Sequence, residues 1–255
     1  MTVNQQARLQ PFGKNLFIAA GDVNFYGVPI QTRMVVARLN SGSLWVWSPL
    51  LIDDELASGI DQLGPVAHIV APNKIHNQGL DGFAARYPEA ELWAPPGLPD
   101  RRPELAFAGV LDDTPHPDWA NDFDQRVTDG NVFFSEAIFF HRSSRTLIVA
   151  DLIENITTET LPTRSGRAIA KAMRLYGRLL PSPEFRLYTT DATATRAKLD
   201  QISAWPFQRI LLAHGDLITE NAHAVFETVA QHLCNEVSAR SGLRSRLYQA
   251  FAKYQ

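Results

Sequence analysis

Three short segments carry residue types able to bind a metal or move a proton: Ile75-His76-Asn77, Leu147-Ile148-Val149-Ala150-Asp151 and Leu211-Leu212-Ala213-His214-Gly215-Asp216. Each lies at or just past the end of a short apolar run that reads as a buried strand. A strand end is rigid, so a His or Asp placed there is aimed rather than loose. Two neutral imidazoles and one carboxylate are a credible three-ligand set that leaves positions open for water. Lys74, two residues before His76, is positioned to bind an anionic group or to stabilise a developing oxyanion. Without a metal, the same residues make a binding pocket or a His–Lys–Asp acid–base site. Each residue also has a plain structural reading: a hydrogen-bonded surface His, a turn or capping Asp, a His-Gly-Asp turn.

The elements that must position these residues alternate between short strands and helices. Leu16–Ala20, Met34–Leu39 and Ser43–Trp47 are β-branched or aromatic runs, with Asn40-Ser41-Gly42 as a hairpin turn between the last two. Asp53–Leu63 has apolar residues at helical spacing and ends at Gly64-Pro65. Val66–Val70 is a strand running into Ala71-Pro72-Asn73-Lys74-Ile75-His76, and Gly79–Tyr87 is a short helix before the strand Glu91–Trp93. Residues 97–131, rich in Pro, Asp and Gly, are expected to be mostly loop. Val132–Phe140 and Thr146–Ala150 form a hairpin around Arg142–Arg145. Helices are expected at Ser165–Leu180 and Ala192–Ile202, the latter capped by Thr190 or Asp191. The strand Ile210–Ala213 and closing helices Ala222–His232 and Ser238–Lys253 complete the chain. Such a mixture predicts an α/β (α+β) fold with sheets inside and helices outside.

Composition narrows the partners. The 255 residues are 45% hydrophobic, enough for a sizeable core, and no break in composition asks for more than one domain over 1–255. Lys plus Arg number 24 against 27 Asp plus Glu, a net charge of −3, which lacks the basic excess of a nucleic-acid binder. No apolar run approaches the ~20 residues of a membrane helix, and Met1–Gln10 is too polar for a signal peptide. The single cysteine, Cys234, reads as a packed thiol within a helix. These features predict a cytoplasmic protein with a small-molecule partner, no nucleic acid and no membrane. Its C-terminal helices could pack on the core or on a second copy in a homo-oligomer. A basic run, Arg164, Arg167, Lys171, Arg174, Arg178 and Arg186, lies between Asp151 and His214. It is a solvated helix face or a lid that attracts an anion. Tyr26 and Arg33 are expected near the mouth of the pocket.

The order of these segments resembles the metallo-β-lactamase fold. That resemblance implies a four-layer αββα sandwich with a helical insertion at about 155–200, a segment that commonly covers the site. The superfamily's His-x-His-x-Asp-His motif falls on Pro72, Lys74, His76 and Asn77, with Gly79 in the following Gly position. Its later His falls near Asn131, its bridging Asp on Asp151 and its last His on His214. Tyr26-Gly27-Val28-Pro29, Leu44-Trp45-Val46-Trp47-Ser48-Pro49, Ala71–His76 and Phe140–Leu147 look like a β-lactamase-like family catalogued as a domain of unknown function. What the resemblance implies is one divalent metal (zinc, iron or manganese) or none, held by His76, Asp151 and His214, with Asn77 as a further ligand. Lys74, His76 and Asp151 would carry the chemistry, and Lys74, Arg174 and Tyr26 would meet the substrate. The implied activity is a mononuclear, metal-dependent hydrolysis of a small, anionic ester, lactone or phosphoester. The alternative is a non-catalytic small-molecule binder or scaffold that has lost its metal.

Overall fold

The computed structural model describes residues 8–25, 28–133, 135–161, 164–172, 174, 176–240. Two sheets lie face to face at its centre. The first has seven strands in chain order: β1 (Gln10–Gly13), β2 (Leu16–Phe25), β3 (Val28–Arg38), β4 (Leu44–Trp47), β5 (Val66–Val70), β6 (Glu91–Ala94) and β7 (Phe107–Val110). Pairing is antiparallel from β1 to β4 and parallel from β4 to β7. The second sheet contains β8 (Phe123–Val127), β9 (Ala137–His141), β10 (Thr146–Val149) and β13 (Arg209–Leu212), in the order β13-β10-β9-β8. Its β10–β13 pair is parallel. A small ribbon joins β11 (Glu154–Asn155) to β12 (Leu179–Leu180).

Side chains on adjacent strand positions point to opposite faces, so each sheet buries two sets of residues. Val35, Ala37, Trp45, Trp47 and Val70 meet Phe139, Ile148, Ala150 and Leu211 between the sheets. The alternate residues Met34, Val36, Val46 and Ile69 face α1 (Asp54–Asp61), α2 (Leu80–Arg86) and α3 (Leu98–Arg101) through Leu56, Ile60, Phe83 and Leu98. On the far side, Ile138, Phe140, Val149 and Ile210 pack against α5 (Pro183–Tyr188), α6 (Ala192–Ser203) and α7 (Ala222–Arg240) through Phe185, Leu199, Phe226 and Val229. The result is a four-layer αββα sandwich. Burial on both faces explains why the strands read as unbroken apolar runs.

Several expected boundaries move. Asp53 lies outside α1 as its N-cap, accepting from the Leu56 amide at 2.8 Å, and Asp191 caps α6 in the same way. The helix expected over Ser165–Leu180 ends as α4 (Arg164–Ala172): Arg174 and Gly177 have positive φ, which breaks helical geometry, and Leu179–Leu180 pairs with β11 instead. Val132 precedes β9 rather than opening it. The expected break between two closing helices is absent up to Arg240, where α7 runs straight through Leu233–Val237; the rest of the second helix lies outside the described residues. The 97–131 stretch holds α3, β7 and β8. No helix among the described residues is long and apolar enough to cross a membrane.

Candidate functional site

Four parallel or adjoining strands end on one edge of the sandwich, and the residues just past those ends converge. Ser48 follows β4, Pro72–His76 follow β5, Asp151 follows β10 and His214 follows β13. Placement beyond the carboxyl ends of parallel strands is the usual position of a ligand site in α/β sheets. His76 Nε2 lies 3.1 Å from His214 Nε2 and 3.4 Å from Asp151 Oδ2, and His214 Nε2 lies 3.9 Å from Asp151 Oδ1. These side chains are all buried.

Each donor is held by a partner behind it. Gln31 O sits 2.9 Å from His214 Nδ1; a carbonyl only accepts, so Nδ1 carries the proton. Burial first, then the His76 ring, push the His214 pKa down to about 4, so the ring is neutral and its Nε2 presents a lone pair. Ser48 Oγ lies 2.9 Å from His76 Nδ1. Burial opposes charge on Asp151, but His76, His214 and the Asn73 amide outweigh it and hold its carboxyl below the usual range. Asn73 organises the loop from within. Its Nδ2 donates to Asp151 Oδ2 at 2.6 Å, while its Oδ1 accepts from the Ile75 and His76 amides.

The turn that carries His214 is fixed with equal care. Arg33, buried on β3, donates to the Leu212 and Gly215 carbonyls. Gly215 has φ of +89°, and a Cβ there would stand 2.0 Å from Asn155 O. The Asn155 amide in turn donates to His214 O. Glu136 lies under Asp151. It accepts from the amides of Ala150, Asp151 and Leu152 and from Asn73 Nδ2. Burial and the Asp151 charge raise its pKa to about 7 against the pull of those amides. Lys74 donates its Nζ not to this acid but to Phe133 O at 3.2 Å. Backbone amides and Asn73 satisfy the glutamate.

His76, Asp151, His214 and Lys74 all line a cavity of about 610 Å³ with an apolar wall including Ile30, Leu50 and Ile52. Gly97, with φ of +76°, leaves room for Lys74: a Cβ there would stand 2.6 Å from Nζ. Asn77 borders the cavity, but its amide donates to Lys74 O and accepts from Arg102, so its polar atoms are engaged outside the His–Asp cluster. Arg174 is exposed and is not among the cavity's lining residues. Tyr26 lies outside the described residues. Asn131, where the family's later His falls, donates to Phe185 O and Thr189 Oγ1. Sequence reasoning missed the positioning roles of Gln31, Ser48 and Asn73, and also Glu154. That buried carboxyl lines the cavity, and burial with the Asp151 and Glu184 charges raises its pKa well above the ordinary value.

The three donors fit a first-row divalent cation. Ligands at the usual bond lengths stand about 3.4 Å apart around a tetrahedral ion, against separations of 3.1, 3.4 and 3.9 Å here. Imidazole Nδ1 groups tied to a carbonyl and a hydroxyl are the outer partners that such ligands need.

The metal-soaked Flv1 flavodiiron core from Synechocystis sp. PCC6803 is similar in structure, with 11% identity and a TM-score of 0.65 over 92% of this chain; the chain spans 62% of that one. DIM-1 metallo-β-lactamase is similar over 91% of this chain and 98% of its own (9% identity, TM-score 0.64). A metallo-β-lactamase from Hirschia baltica matches over 89% and 97% (11% identity, TM-score 0.60). The fold is therefore that of the metallo-β-lactamases. No curated protein matches the chain in sequence. The family model described as Domain of unknown function (DUF4336) matches residues 20–174, and with more than half of its length so matched the chain belongs to that family.

Proposed function

We propose that this protein is a hydrolase that holds one divalent cation between His76, Asp151 and His214 and acts on a small ester, lactone or phosphoester. The observation that carries the reading is the meeting of two imidazole Nε2 atoms 3.1 Å apart beside an ionised, buried carboxylate. When bound, such a cation is a Lewis acid that makes hydroxide available from water near neutral pH. Lys74, at the cavity wall, binds the anionic part of the substrate or the charge that develops on its oxygen. Leu50 and Ile52 receive the apolar part and exclude water around it. Glu154 lines the same cavity, and burial there favours its protonated form, so it would protonate the leaving group.

A second reading has its own support. Ser48 Oγ can donate to or accept from His76 Nδ1, so His76 is free to turn an Nε2–H toward His214 Nε2. The cluster is then satisfied without an ion, as in a small-molecule binder. One experiment separates the two. Protein is prepared without chelator or a nickel column, and its metal content and hydrolysis of chromogenic esters, lactones and phosphodiesters are measured. The hydrolase reading expects His76→Ala and His214→Ala each to lose about one equivalent of metal and all turnover. Equal metal content in both variants and the unaltered chain would overturn it.

A further inference from the structure

β5 contributes a second histidine, well before its carboxyl end. His68 is 2% exposed, and its register partner on β6 is Glu91. Across its ring runs the link between the two sheets, the stretch between β7 and β8, which brings His116 and Asp118. His68 Nε2 stands 3.4 Å from Asp118 Oδ2, and His116 Nδ1 stands 3.8 Å from the same oxygen. One donor atom from each of the three residues lies within 4.8 Å of the others. His68 Nδ1 is buried without a hydrogen bond among the described residues, 3.4 Å from Glu91 Oε2. Among the described residues, His116 Nδ1 takes a single long bond, 3.4 Å from the Asp118 amide. Trp119 and Trp93 wall the cluster, at ring separations of 4.9 Å from His68 and 4.7 Å from His116.

A buried imidazole with an unpaired nitrogen has a cost unless something answers it. A proton on Nδ1 shared with Glu91 would leave Nε2 as a lone pair facing His116 and Asp118. A carboxylate behind a ligating imidazole is the arrangement that fixes ring and tautomer in metal sites. Two nitrogens and one carboxylate select zinc, nickel, cobalt or copper over calcium or magnesium. We propose that His68, His116 and Asp118 form a second divalent transition-metal site, oriented by Glu91, in which the ion ties the sheet-to-sheet link to β5. The site is independent of the cation at His76, Asp151 and His214.

The test uses the full chain and zinc alone, by equilibrium dialysis at micromolar free metal. An Asp151→Asn, His214→Ala double variant should retain about one equivalent, and adding His116→Ala should remove it. His116→Ala in the otherwise unaltered chain should lower the stoichiometry by one, which decides the matter if the double variant does not fold. Copper titrated into the double variant should quench the fluorescence of Trp93 and Trp119, and His116→Ala should abolish that quenching. Zinc stoichiometry unchanged by His116→Ala in both backgrounds, or zinc retained by neither protein, would overturn the proposal.

Discussion

The two imidazole clusters both draw on β5, His68 from within the strand and His76 from the loop that follows it, and they differ in what supports them. In the inner cluster, His76, Asp151 and His214 come from three strand ends, and each has a fixed partner behind it: Ser48, Asn73 and Gln31. In the outer cluster only His68 sits on a strand. His116 and Asp118 ride on a link, Asp118 is 60% exposed, and the Glu91 carboxylate stands 3.4 Å from a His68 Nδ1 that makes no hydrogen bond among the described residues. The donors are the same chemically. What differs is preorganisation, which decides how much binding energy is lost to ordering the site. The inner cluster is part of the folding framework; the outer one is a clip added to it.

Removing the support of each cluster should expose that difference. Glu136→Leu leaves the amides of Ala150, Asp151 and Leu152 buried without an acceptor. It should destabilise the protein by at least ~3 kcal/mol, since each of the three buried donors left unpaired costs about 1–3 kcal/mol. Asp118→Ala, at the exposed rim of the outer cluster, should cost under ~0.5 kcal/mol in metal-free protein. Urea unfolding with chelator present measures both. Equal costs would mean that the inner cluster is no more part of the framework than the outer.

The same contrast governs what was legible in the sequence. His76, Asp151 and His214 could be picked out because residues at strand ends follow apolar runs, and those runs are visible. The two-sided burial of the sandwich was visible for the same reason. Gln31 acts through its backbone carbonyl and Ser48 through a hydroxyl on a strand-end residue with φ of +50°, and neither feature leaves a mark in residue type. Glu136 directly precedes β9, and most of its partners are backbone amides, which every residue carries. His68 lies inside the strand Val66–Val70, and nothing in the residue pattern there sets it apart. Its neighbours His116 and Asp118 are some fifty residues away, and only the packing of the link between sheets unites them.

The effect of burial by itself can be read from an imidazole outside both clusters. His141 is fully buried at the end of β9, with Ser144 Oγ 2.7 Å from its Nδ1, and it belongs to neither cluster. Burial alone pushes its pKa down to about 4. Above the ordinary value of about 6.5 the ring is neutral in folded and unfolded chains, and no stability is lost. As pH falls, the unfolded chain takes the proton first, so stability declines between 6.5 and 4 and then levels. Between pH 7 and pH 5 this one residue should account for about 2 kcal/mol of lost stability. His141→Gln should remove that share of the slope in urea midpoints, and an unchanged slope would show that the ring is solvated when folded.

The finest distinction lies in the groups behind the rings. Ser48→Ala removes the hydroxyl at His76 Nδ1 and nothing else, since both residues carry the same Cβ. Loss of such an outer partner costs about 10-fold or more in metal affinity, or ~1.4 kcal/mol. Glu91→Ala removes the carboxylate facing His68 Nδ1, which makes no hydrogen bond among the described residues. If an ion draws that pair together, Glu91→Ala weakens zinc at the outer cluster by a similar factor while Ser48→Ala leaves that cluster untouched. Competition with a chelating dye reads each affinity separately in the background where the other cluster is removed. Should Ser48→Ala leave the affinity of the inner cluster unchanged, the orientation of His76 rests on packing against Trp47, 6.5 Å away, rather than on its hydrogen bond, and the framework of the inner cluster is apolar.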